Sequence, residues 1–129
     1  MAKFYAQCGW VRLVLATDSK ESAALAMMDR ILAPHLWVYD DPGLSEGDCH
    51  AHLMLEALLH LPTEIRISER GFKSDEATFV SVPETISTWH ALIVGMRRLF
   101  AQAGLNRTVA VLAGADAIQE AVLPRRRPR

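Results

Sequence analysis

Cysteine is scarce: Cys8 and Cys49 are the only two in 129 residues, which excludes a disulfide-built scaffold and allows one pairing at most. Long apolar runs are missing as well, and none approaches the roughly 20 residues that a bilayer-spanning helix needs. The apolar start of the chain is interrupted by Gln7, Gly9 and Arg12, so it lacks the pattern of an export signal and the cytoplasm is the expected setting. The seven glycines are scattered and form no phosphate-cradling loop; no G-x-S-x-G segment presents a serine nucleophile.

Positive charge is also short. The formal net charge is −1, but residues 1–123 carry 10 basic and 15 acidic side chains, while residues 124–129 carry four arginines and no acid. An acidic body argues against a broad phosphate-binding face, which needs many Lys or Arg contacts. Nucleic acid is therefore an expected partner only through the tail residues Arg125, Arg126, Arg127 and Arg129. The tail itself reads as a basic, flexible, solubilising end.

What is present is apolar substance, at 50% of the residues, enough for one hydrophobic core and too little chain for two ordinary domains. Residues 4–8 and 11–16 are β-prone runs parted by Gly9 and Trp10, a hairpin pattern with Val11, Leu13 and Leu15 alternating against Arg12, Val14 and Ala16. Asp18 with Glu21 resembles a capping box, so a helix is expected to follow, burying Leu25, Met28, Ile31 and Leu32 and ending at Pro34. A short strand over 36–39 is next, closed by a turn of Asp40, Asp41, Pro42 and Gly43 that lacks the ligand spacing of a calcium loop.

A helix is expected over 47–61, stopped by Pro62, which cannot continue it. Ile65 and Ile67 alternate with Glu64, Arg66 and Ser68 in a half-buried strand that pairs with another over 78–82. Between them Gly71 gives a turn its backbone freedom and Phe72 is expected to pack back onto the sheet. Pro83 and Glu84 suit the start of a long helix, whose Ile86, Trp89, Ile93, Met96, Phe100 and Ala103 recur every three or four residues as a core or dimer seam ending at Gly104. A strand over 108–113 would return parallel to 78–82, and a short helix runs to 123. The sum is one small α+β domain over residues 1–123, with a mixed, mostly antiparallel sheet covered on one side by helices.

Chemistry concentrates in the helix at 47–61, where Cys49, His52, Glu56 and His60 fall 3, 4 and 4 positions apart and share one line. Zinc accepts thiolate, imidazole and carboxylate, but a straight helix cannot bring all four to one ion: Cys49 and His60 stand roughly 16 Å apart at the helical rise. A zinc site would pair Cys49 and His52 with ligands from elsewhere, His35 and Asp40 first, with Cys8 or Asp41 as alternatives, and an enzyme would use Cys49 with His52 as nucleophile and base. Ala51, Met54, Leu55 and Leu58 lie on the reverse side. If they face the core, the polar row is a solvated surface.

No serine, glycine or metal motif assembles elsewhere, so the expected function is a non-enzymatic interaction or accessory module whose partner is a protein, including a second copy of itself. Val38, Tyr39, Phe72 and Phe79 are the candidates for its partner surface, and His90 is expected to be exposed.

Overall fold

The computed structural model describes residues 2–105. Strand β1, Ala2–Cys8, turns at Gly9 and Trp10 into β2, Val11–Thr17, pairing antiparallel from Ala2 with Thr17 to Cys8 with Val11. Gly9 takes a φ of 63°, the left-handed geometry that two-residue hairpin turns require and that glycine adopts without a Cβ clash. Helix α1, Lys20–Leu32, is capped by Ser19, one residue later than expected, because the Ser19 backbone is still extended while its hydroxyl accepts from the Ser22 N–H at 3.1 Å.

The segment Ala33–Asp40 is not a strand but a 3-10 helix. Pro34 sits in its first turn, where the missing N–H costs nothing, and Ala33, Leu36 and Tyr39 recur at the three-residue period of that helix and are all buried. Val38 is buried too, so two of the expected partner-surface residues, Val38 and Tyr39, belong to the core. Helix α2, Glu46–His60, begins with a reciprocal capping box: the Ser45 hydroxyl accepts from the Asp48 N–H, and the Asp48 carboxylate accepts from the Ser45 N–H, both at 3.0 Å.

Strand β3, Glu64–Ser68, pairs antiparallel with β1 and with β4, Thr78–Ser81, completing the order β2-β1-β3-β4. Helix α3, Val82–Gln102, follows without a linker; Ser81 ends the strand and caps the helix by accepting from the Glu84 N–H. Gly104, at φ 74°, ends it by turning the chain. The four strands are thus an antiparallel sheet in a small α+β domain. The strand at 108–113, its parallel crossover, the helix to 123 and the basic tail lie outside the described residues.

Alternation on β1 and β3 sends Phe4, Ala6, Cys8, Ile65 and Ile67 to one face, where α1 rests on β1 and β2 and the small Ala23 and Ala24 allow close approach. Helix α3 packs on α1 and buries Ile86, Trp89 and Ile93, and α2 packs on α3 and the 3-10 segment. Leu92 and Leu99 of α3 are exposed. Both cysteines are buried and free, so the one possible bridge is not formed.

The opposite face of the sheet is partly roofed by loop 69–77. Phe72 meets Tyr5 edge-on at 5.2 Å between ring centroids, the Arg12 guanidinium lies 5.4 Å from the Phe72 ring, and Arg66 donates to the carbonyls of Phe72 and Ser74. Phe72 therefore packs back as its sequence context suggests. Phe79 remains exposed.

Candidate functional site

Helix α2 carries the site, and its orientation is the reverse of the one expected. Cys49, Leu53 and Ala57, four residues apart, face the core. Ala51 is exposed, and Leu55, Leu58 and Leu59 are 54%, 77% and 63% exposed. The reason lies in composition: α2 is apolar around most of its circumference, so two faces can compete for burial. The face with the smaller side chains Cys49 and Ala57 is the one that packs inward.

That rotation tucks the polar row against the 3-10 segment. His35 comes over α2 from this segment, its Nδ1 3.4 Å from Nε2 of His52, while Trp37 meets the His52 ring edge-on at 5.7 Å. On the other side of His35, Nε2 lies 3.9 Å from a Glu56 carboxylate oxygen that is also 3.6 Å from Nε2 of His60. Burial holds the His35 imidazole below its ordinary value of 6.5; Glu56 opposes that shift, and His52 and His60 add to it. The order along the surface is His52, His35, Glu56, His60. Of these four, only His52 and His35 are within hydrogen-bond distance of each other; Glu56 stands between His35 and His60 at ion-pair range, and burial favours the neutral form of His35.

Cys49 does not join them. Its Sγ donates to the Val38 carbonyl at 3.2 Å, and burial raises its thiol above the ordinary range, which disfavours the thiolate that a nucleophile or a zinc ligand must be. Cys8 is pushed up to about 11 by the same cause. Of the residues read as a zinc set, the structure brings His35 and His52 together; Asp40 sits half-buried at the end of the 3-10 segment. Among the described residues no group of three or more His, Cys, Asp or Glu side chains is placed to hold a metal ion.

His35, Glu56 and His60 line a cavity of about 670 Å³ between the β1–β2 turn, the end of α1, the start of the 3-10 segment and the end of α2. Trp10, Leu13, Ile31, Pro34 and Leu61 form much of its wall. Nothing in the sequence joins Trp10 to His60, because strand pairing and two helix ends are needed to bring them to one place.

A second polar chain was also hidden from the sequence. Tyr39 lies 2.6 Å from Nδ1 of His90, the His90 ring stands 4.8 Å from that of His50, and His50 Nε2 lies 3.0 Å from the Ser87 hydroxyl. His90 is thus half-buried in the seam between α2 and α3 rather than exposed. Burial, then His50, hold it below its ordinary value, with Glu46 opposing. The signal was there in part: His90 follows Trp89 and sits on the flank between the buried Ile86 and Val94.

Comparison with known proteins returned no matching family model, no matching curated protein and no matching solved structure. Among the described residues no helix is long and apolar enough to cross a membrane.

Proposed function

We propose that this protein is a small interaction module that associates with a second copy of itself through the outward face of α2. One observation carries the reading: Leu55, Leu58 and Leu59 stand in water on a helix whose other side is already packed into the core. A helix that is apolar on both sides is normally covered on both. Three neighbouring leucines with Ala51 make a patch of the size that marks interaction surfaces, on the order of a few hundred Å². Trp37, also exposed, extends it past His52.

A second copy suits this face better than a charged partner, because the stripe from Ala51 to Leu59 carries no charge to be matched. Two-fold symmetry through Leu55 lays two copies of α2 antiparallel, with the helix dipoles opposed. Two free, buried thiols support the reducing, cytoplasmic setting of such a module.

Sedimentation equilibrium tests the reading. The wild type is expected to dimerise at concentrations on the order of 100 μM, as a small apolar interface should. Leu58→Glu is expected to stay monomeric with its thermal unfolding intact. A wild type that remains monomeric over that range, or a Leu58→Glu variant that dimerises equally, would overturn it.

A further inference from the structure

We propose that the cavity beside α2 is a binding site for a small planar monocarboxylic acid, its ring against Trp10 and its carboxylate on Arg30. This site is independent of the leucine face and of dimerisation. At about 670 Å³ the cavity falls within the roughly 300–1,000 Å³ of small-molecule pockets. Its walls are mainly apolar, with Leu13, Ile31 and Leu61 offering surface that a ligand's ring can cover.

Two features narrow the ligand. Trp10 is 86% exposed at the tip of the β1–β2 turn and lines the cavity, so a large aromatic ring stands at the rim with most of its surface open for stacking. Arg30, in the last turn of α1, lines the same space, and among the described residues its guanidinium holds no hydrogen bond or ion pair. Arg30 is half-buried, and a guanidinium with no partner among the described residues is a ready receptor for a carboxylate, which it can engage through two parallel N–H donors.

Arg12 also borders the cavity, but its guanidinium is engaged over Phe72 on the opposite face of the sheet, leaving Arg30 as the anion's partner. Glu56 sets the charge limit. Its carboxylate, shared between His35 and His60, repels a second negative group on the ligand, so a monoanion fits and a dianion does not. A neutral His35 offers one ring nitrogen to a polar substituent of the ligand.

Isothermal titration of the full-length protein with naphthoate, and with naphthamide as its uncharged counterpart, tests this. Naphthoate is expected to bind one per chain, about tenfold or more tighter than naphthamide, as a charge-assisted bidentate pair should give. Arg30→Gln should abolish that preference, Arg30→Lys should retain part of it, and Trp10→Ala should weaken both ligands. Equal binding of the two by the wild type, a preference that survives Arg30→Gln, or no saturable binding of naphthoate would overturn the proposal. Because Leu58→Glu leaves the cavity untouched, its naphthoate affinity should equal that of the wild type.

Discussion

The Tyr39 hydroxyl lies 2.6 Å from Nδ1 of His90 while the Tyr39 ring meets Trp89 at 6.0 Å, so one buried phenol ties the 3-10 segment to two successive residues of α3. Trp89 in turn donates through Nε1 to the Asp29 carboxylate at 3.1 Å, which carries the tie on to α1. Three helical segments are pinned by two neighbouring side chains.

Tyr39→Phe keeps the ring and removes the hydroxyl, leaving Nδ1 of the half-buried His90 without its partner. The expected loss is about 1–2 kcal/mol, the range for a hydrogen bond whose other partner stays behind unsatisfied. Urea unfolding checks it, and an unchanged midpoint would mean that water takes over the bond at no cost.

Acid should loosen the fold before the carboxylates titrate. His35 and His90 are both held below 6.5, chiefly by burial, so as pH falls through 6.5 the unfolded chain binds protons that the folded chain refuses. Stability is therefore at its full value above 6.5 and declines as pH drops toward the lowered folded values. Urea midpoints at neutral and mildly acid pH should differ in that direction, and the difference should shrink in a His35→Asn, His90→Asn double variant. A midpoint that rises on acidification would contradict the burial of both rings.

Leucine truncation distinguishes the two faces of α2 directly. Leu53 is fully buried, and Leu53→Ala should destabilise by about 2–5 kcal/mol, the cost of a core leucine cavity. Leu58→Ala should stay within about 0.5 kcal/mol when measured in dilute monomer. Equal costs would mean that the helix is turned the other way.

That contrast also marks where sequence reasoning stops. The hairpin around Gly9, the stop at Pro62 and the start of α3 at Pro83 were legible because each is decided within four or five residues; the capping box at Ser45, just ahead of the expected helix start, was missed. The rotation of α2 was not, since Cys49, Leu53 and Ala57 compete with Ala51, Leu55 and Leu58 for the core and only the neighbouring helix resolves the choice. The 36–39 run was ambiguous for a similar reason: four apolar residues fit a strand or a turn of helix, and Pro34 with the Ala33, Leu36, Tyr39 spacing decides for the latter. Of the four residues read as a zinc set, His35 and His52 lie side by side, while Cys49 is turned to the Val38 carbonyl. Glu56 and His60, set aside as solvated, line the cavity, and the contact of His50 with His90 across 40 positions had no local signature.

Ser81 belongs to the sheet and to the helix at once, closing β4 opposite Glu64 and opening α3 through its hydroxyl. No residue separates the two elements, so the first turn of α3 starts directly from the last pair of the sheet. The α2–α3 seam, where His50 and His90 face each other, is thereby joined without slack to β4, the outer strand of the sheet among the described residues.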